Sequence, residues 1–252
     1  MKLLYFTSTG NNLYIAEFIG GELLSISQLI KTNQFKIEDD TVGIIFPVYY
    51  YSVPQIVKDY LSKVKIRCNY LFTITSYGSA EIGALRALKV CNKILENNNL
   101  KVNYSNSVLM IDNFLPLYDV EKEIKIKNDE MIDEKLQIIR KDIQNKKDFQ
   151  LPRNIIGDLI FSDSLIKIPF TRLFKLEVVE DKCVNCKVCV KVCPKENIVL
   201  GDFGPIIGED CEFCLGCVHH CKKHAIKTNK EKSSARFRNP HVPLSKIIKS
   251  NK

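Results

Sequence analysis

Eight of the ten cysteines in this chain fall between residues 183 and 221, in two runs with one spacing. The first, Cys183, Cys186, Cys189 and Cys193, reads C-x2-C-x2-C-x3-C and continues into Pro194. The second, Cys211, Cys214, Cys217 and Cys221, repeats that pattern and continues into Lys222. Two-residue gaps let three thiolates of one turn-rich segment converge on one face of an iron–sulfur cubane. The fourth corner must be reached from elsewhere, so the last cysteine of each run serves the other cluster. This predicts one [4Fe-4S] cluster on Cys183, Cys186, Cys189 and Cys221, and a second on Cys211, Cys214, Cys217 and Cys193. The chemistry implied is one-electron transfer. Structural zinc is the competing use of thiolates, but it needs only two cysteine pairs, so the third and fourth cysteines of each run would be surplus. A disulfide framework fits less well, because no secretory signal is read at the start of the chain and cytosol keeps thiols reduced.

On these residues, roughly Leu176 to Lys227 resembles the bacterial two-cluster ferredoxins. One departure is Lys222, where the pattern would carry a second proline. That proline shapes the chain's exit and does not ligate iron, so the departure touches packing and leaves ligation intact.

Composition sets the frame for these sites. A chain of 252 residues has room for one ordinary domain and a small one. Hydrophobic content of 45% and charged content of 26% are those of a soluble globular protein. Met1 to Phe6 is too short an apolar run for a signal peptide, and no window reaches the ~18 apolar residues of a membrane span. The expected location is cytoplasmic, with no transmembrane segment. The net charge of +8 is uneven. Residues 1–150 hold 19 Lys+Arg against 18 Asp+Glu, residues 151–221 hold 8 against 10, and residues 222–252 hold 10 against 1. An acidic redox module, made more negative by its clusters, is therefore followed by a strongly basic tail.

The first 150 residues read as alternating strands and helices. Lys2 to Thr7 is a short buried strand, followed by Thr7-Ser8-Thr9-Gly10-Asn11-Asn12 and then by apolar residues at helical spacing. Strand, hydroxyl-bearing loop and helix N-terminus together make an anion site, where backbone N–H groups and the helix dipole favour negative charge. No lysine lies in the loop, unlike a P-loop. Further strands are expected at Ser25 to Ile30, Thr41 to Val48, Tyr70 to Thr75 and Tyr104 to Ile111. Helices are expected at Val53 to Val64, Ala80 to Glu96 and, as one long charged element, Val120 to Lys147. This alternation predicts right-handed crossovers and an α/β, doubly wound parallel sheet.

The TSTGNN loop resembles the flavodoxin phosphate loop, S/T-x-T-G-x-T, with Asn12 in place of its last threonine. The resemblance covers about Met1 to Lys147 and implies a five-stranded sheet of order 2-1-3-4-5, with flavin mononucleotide (FMN) where strands 1 and 3 diverge. Flavodoxins flank the flavin ring with groups from the next two loops, here Pro47-Val48-Tyr49-Tyr50-Tyr51-Ser52 and Ser76-Tyr77-Gly78-Ser79. The resemblance thus assigns Tyr49, Tyr50 and Tyr77 as aromatic walls, with Pro47 and Val48 beside them and Gly78 allowing close backbone approach. The bland alternatives are ordinary packing for the tyrosines and a capped helix start for TSTGNN.

The expected organisation is a flavodoxin-like domain at 1–150, an interdomain packing segment at 151–175, a small α+β ferredoxin domain at 176–227 and a basic tail at 228–252. The apolar residues between Leu151 and Val179 fit interdomain packing better than a membrane-surface helix. The tail is read as a solvated or partly folded extension, a wrap around the acidic module, or a dock for a redox partner protein. Nucleic acid is not expected, since no motif accompanies the charge. His219, His220 and His224 are tuning or surface residues, and Cys68 and Cys91 buried structural thiols. As a whole the chain is similar to flavodoxin–ferredoxin fusion proteins of the EFR1-type ferredoxin family, which implies electron relay between two clusters and FMN. Two alternatives stay open: a flavin-dependent reductase acting on a small molecule, and a flavin-free ferredoxin with a docking domain.

Overall fold

The computed structural model describes residues 1–149, 151 and 173–252. The strands β1 (Lys2–Tyr5), β2 (Glu22–Ser25), β4 (Thr41–Pro47), β6 (Tyr70–Tyr77) and β7 (Tyr104–Leu109) form one sheet in the order β2-β1-β4-β6-β7. Every pairing in it is parallel. Counted within the sheet this is 2-1-3-4-5, the flavodoxin-like order. Two strands absent from the sequence reading, β3 (Lys36–Glu38) and β5 (Lys65–Arg67), make a separate parallel pair.

One face of the sheet is covered by α3 (Gln55–Leu61) and α4 (Glu81–Asn97), where Ile56, Val57, Leu88 and Cys91 pack on Leu4, Ile44 and Phe46. The other face is covered by α1 (Asn11–Ile19) and α6 (Asp129–Gln144), through Ile15, Leu136 and Ile139. Both faces being buried explains why strands such as TVGIIFP lack alternation.

Two expected elements differ. Ser25 to Ile30 is not a strand: β2 ends at Ser25 and α2 (Ile26–Lys31) begins there. Leu23 and Leu24 take the sheet positions beside Leu3 and Leu4, while Ile26, Leu29 and Ile30 sit at helical spacing, which a short apolar run does not reveal. The long helix at Val120 to Lys147 is two, α5 (Val120–Ile126) and α6. Asn128 starts the second by accepting from Met131 N–H at 3.0 Å, the bond of a helix N-cap.

The C-terminal part is a small α+β unit of two similar halves. It contains β8 (Leu176–Val178), α7 (Val188–Val192), the hairpin β9 (Ile198–Gly201) and β10 (Gly204–Ile207), α8 (Gly216–His219) and β11 (Ile226–Thr228), which pairs back on β8. Left-handed residues recur in pairs: Asn185 and Phe213, Lys187 and Leu215, Glu196 and His224. Each pair is 28 residues apart, the same offset that separates Cys183 from Cys211 (211 − 183 = 28). The two cysteine runs therefore share one backbone path.

The basic tail is not a solvated extension. It ends in α9 (Leu244–Ser250), and Val242 and Ile247 join the same core as Leu3, Ile15 and Val192. The interdomain packing expected at 151–175 falls almost wholly outside the described residues. Among the described residues no helix is long and apolar enough to cross a membrane.

Candidate cofactor cleft

The loops leaving the carboxyl ends of β1, β4, β6 and β7 converge on one cleft, where the strand order reverses between β1 and β4.

Thr7, Ser8, Thr9, Asn11 and Asn12 line it. Gly10 N–H donates to Thr7 Oγ1 at 3.1 Å, and Asn113 Nδ2 donates to Thr9 Oγ1 at 2.6 Å. Each hydroxyl accepts from the protein and keeps its own proton to give. No side chain caps α1, so its first-turn N–H groups and dipole add their positive end. Asn12 is 2% exposed and its Oδ1 has no partner among the described residues, a buried acceptor that a polyol hydroxyl would satisfy. These groups fit a phosphate ester carrying a polyol chain. Gly10 itself faces away from the cleft. Its φ is +104°, and a Cβ there would stand 3.0 Å from Asn239 Cβ and 3.1 Å from Val242 Cβ, so it is glycine for the tail's sake.

Pro47, Val48, Tyr49, Tyr50, Tyr77 and Gly78 also line the cleft. Tyr49 and Ser52 exchange backbone hydrogen bonds of 2.9 Å, closing a two-residue turn around Tyr50 and Tyr51. Their φ values are 53° and 60°. Such a turn favours Asn-Gly, because a left-handed non-glycine residue costs about 1–2 kcal/mol. Strain held at a cleft edge is the pattern of a functional loop. The Tyr49 hydroxyl meets Ser8 Oγ at 3.2 Å, and Tyr50 stands edge-on to Phe114 at 5.8 Å. Gly78 serves a different contact from the expected one. A Cβ there would come within 2.3 Å of Asp112 Cβ, so its bare face is spent on Asp112.

Asp112, Asn113 and Phe114 line the cleft from the loop after β7, which the sequence reading left without a role. Asp112 Oδ1 accepts from Phe114 N–H at 3.1 Å, and Glu123 accepts from Asp112 N–H at 3.0 Å. Lys127 donates to both Glu123 and the Gly78 carbonyl. Burial pushes the Asp112 carboxyl up to about 6, with Glu123 adding to the rise and Phe114 N–H and Lys127 opposing it. Because the folded value exceeds the unfolded one near 3.9, its ionisation costs stability, increasingly as pH rises from about 4 to about 6. Asp112→Asn is therefore expected to be more stable than the parent by about 2 kcal/mol at pH ~7.5, the advantage shrinking as pH falls toward ~5. Urea melts of the two proteins at several pH values check this; a pH-independent difference would refute it.

The cysteine runs reach this cleft. Cys189 lies within electrostatic reach of Cys186, Cys221 and Cys183, and Cys214 within reach of Cys193 and Cys211. The fold thus brings the last cysteine of each run to the other run. Asn197 N–H donates to Cys193 Sγ at 3.3 Å and Ala225 N–H to Cys221 Sγ at 3.2 Å, equivalent bonds 28 residues apart. Among the described residues no two cysteines form a disulfide; Cys68 is half-buried and Cys91 buried. Among the described residues no three His, Cys, Asp or Glu side chains form a site for a single metal ion. Cys186 is exposed, whereas Phe213, Cys214 and Leu215 line the cleft beside the TSTGNN loop.

Glu212 fastens the second run there. Its carboxylate accepts from Ile56 N–H at 3.3 Å, at the start of the helix that follows the tyrosine loop, with Lys195 at 3.8 Å. His219 adds a second tie. Its Nδ1 accepts from Phe237 N–H at 3.1 Å, so Nε2 carries the proton and donates to the Asn113 carbonyl at 2.7 Å. Burial holds this imidazole neutral, pushing its pKa down to about 3. His219 and His220 are both buried, and His220 Nδ1 bonds the Gly216 carbonyl at 2.7 Å.

Residues 182–226 match the family described as a 4Fe-4S dicluster domain. The C-terminal unit is ferredoxin-like. Over 53 residues the chain is 45% identical to a ferredoxin of Rickettsia felis. That alignment covers 20% of this chain and 49% of the relative, so the chain spans about half the length of that protein. Among solved structures, a putative flavoprotein of Bacteroides uniformis aligns with a TM-score of 0.32 and 14% identity, over 49% of this chain and 94% of that one. A flavoprotein of Lactobacillus acidophilus in complex with FMN gives 0.31 and 14%, over 42% and 91%. At such scores the α/β assignment rests on strand order and register alone.

Proposed function

We propose that this protein relays electrons between two [4Fe-4S] clusters and an FMN held in the cleft, as in flavodoxin–ferredoxin fusion proteins. Cys183, Cys186, Cys189 and Cys221 hold the outer cluster; Cys211, Cys214, Cys217 and Cys193 hold the inner one. The observation that carries this reading is Cys214 in the wall of the cleft. An inner-cluster thiolate beside the flavin site shortens the one step whose rate falls most steeply with distance. Bound there, the flavin would supply a centre able to exchange electrons singly or in pairs, whereas each cluster passes one. The protein's part is to hold the phosphate with neutral donors, fix the loops through Glu212 and His219, and wall the cleft with tyrosines.

Electrons enter or leave through the more exposed first run, where Cys186 reaches the surface. The partners are redox proteins in the cytoplasm, met at that face or at basic side chains of the tail that remain in solvent. A second reading, a reductase acting on a small molecule in the cleft, is favoured by Asp112, a carboxyl able to exchange a proton there near neutral pH.

The test is anoxic purification followed by assay of released flavin, iron and acid-labile sulfide. One FMN with about eight irons is expected, the iron count following from two four-iron clusters. Eight irons without flavin would reduce the N-terminal half to a docking domain. Turnover with quinones or other small oxidants separates the reductase from the relay.

A further inference from the structure

We propose that Asn113 is the residue that makes the cleft selective for a phosphorylated flavin, by orienting the hydroxyl of Thr9. This inference rests on the reading of the cleft as a flavin site.

A hydroxyl can donate one hydrogen bond and accept two. Thr9 lines the cleft, is 2% exposed, and accepts from Asn113 Nδ2 at 2.6 Å. With that lone pair occupied, the Thr9 proton is left to point at an anion in the loop. A loop without lysine depends on such neutral donors, so the direction of one O–H decides whether the anion meets a donor or a lone pair. Thr7 is set in the same way by Gly10 N–H, but from within the loop. Asn113 comes from a strand end over 100 residues away and is itself held from two sides. Its carbonyl accepts from His219 Nε2–H at 2.7 Å and from Leu115 N–H at 3.0 Å. His219 belongs to the helix of the second cysteine run, and its other nitrogen is fixed by Phe237 of the tail. Beside the direct ties of Asn239 and Asn251 to the loop, the ferredoxin half and the tail thus reach the Thr9 hydroxyl through Asn113. Asn113 is a positioning residue, and its influence passes through Thr9.

This makes a prediction that a structural role would not. FMN and riboflavin differ only in the phosphate, so variants of Asn113 should weaken FMN and spare riboflavin. In Asn113→Asp the carboxylate can only accept, which turns the Thr9 proton away from the phosphate and adds a negative charge beside it. Its FMN dissociation constant is expected to rise roughly 10- to 100-fold, the range for one hydrogen bond to a charged group, with riboflavin unchanged within about twofold. Asn113→Ala should show a smaller FMN-specific loss, and that loss should vanish in the background of Thr9→Val, since pairs acting through one contact are not additive.

The measurement is flavin-fluorescence titration of cluster-loaded protein stripped of flavin, with iron content and a thermal melt recorded for each variant. Equal weakening of both flavins, or an Asn113→Ala loss that persists with Thr9→Val, overturns the role given to Asn113. A parent protein that binds neither flavin overturns the reading of the cleft itself, and the two failures are distinct.

Discussion

A chain ended at Arg238 is expected to melt about 10–20 °C below the full protein and to release its flavin more readily. The removed segment contains Val242 and Ile247, both fully buried in the core beneath α1. Burying each contributes about 1.5–3 kcal/mol, and about 1 kcal/mol moves the midpoint of a chain this size by roughly 2–4 °C. Polar groups then lose partners as well. Asn251, 2% exposed, donates from Nδ2 to the carbonyls of Thr7 and Val192, each at 3.2 Å. Its Oδ1 accepts from Ser27 Oγ at 3.3 Å. One side chain so ties the phosphate loop, the helix leading to Cys193 and α2. Ser250 bonds the Tyr5 hydroxyl at 2.7 Å, and Ser25 donates to its carbonyl. Without the strap, the cleft and the cluster domain keep fewer common anchors, which is why flavin retention falls with stability. Thermal melts and flavin content of the truncated holoprotein decide the matter. A midpoint within about 3 °C of the parent would show that the tail is dispensable.

Gly43→Ala should destabilise the fold by about 3 kcal/mol or more. Gly43 lies in β4, between β1 and β6 in the centre of the sheet. A Cβ there would stand 2.2 Å from Phe72 Cζ and 2.8 Å from Leu3 Cδ2. Phe72 and Leu3 are both fully buried, so neither can swing into solvent. Overpacking usually costs about 1–3 kcal/mol; here a ring and a leucine must both move while the central strand is held on two sides. The strand continues into the tyrosine loop, so its displacement reaches the cleft. Phe72→Leu, which removes ring atoms from that contact, should recover at least half of the loss in the double variant. Urea unfolding of the single and double variants measures both effects. A Gly43→Ala protein within about 1 kcal/mol of the parent, or no recovery with Phe72→Leu, would contradict the packing argument.

Much of the architecture could be read from the chain because the signals are local. Cysteine spacing expresses the reach of a thiolate along one turn, and TSTGNN expresses a strand handing over to a helix. The buried strand TVGIIFP declares itself by its nearly unbroken apolar run. The elements that misled are those where local signals compete. In ELLSISQLIK the same apolar density serves a strand and then a helix, and only the pairing of Leu23 and Leu24 beside β1 sets the boundary. At Lys127-Asn128 the charged pattern continues, but a cap of a few atoms breaks the helix.

The chain alone therefore carried the two cysteine runs, the TSTGNN loop after the first strand and the parallel sheet that presents it. Each follows from contacts along a segment or from a period of apolar residues. Only the tertiary structure decided that Cys214 lines the cleft, that Asp112 and Asn113 belong to it, and that the basic tail is a strap. Asp112 and Asn113 carry no local signature, since their roles come from Gly78, Thr9 and His219, residues that the sheet and the ferredoxin half bring to them. The charge of +9 over residues 222–252, from 10 Lys+Arg against 1 Asp+Glu, draws attention to solvated side chains. The tail's fold is set instead by Val242 and Ile247, which join the core of Leu3 and Ile15, and by Asn251, whose amide reaches Ser27 and Thr7, 224 and 244 residues away in sequence. Distance along the chain hides such contacts, and packing alone reveals them.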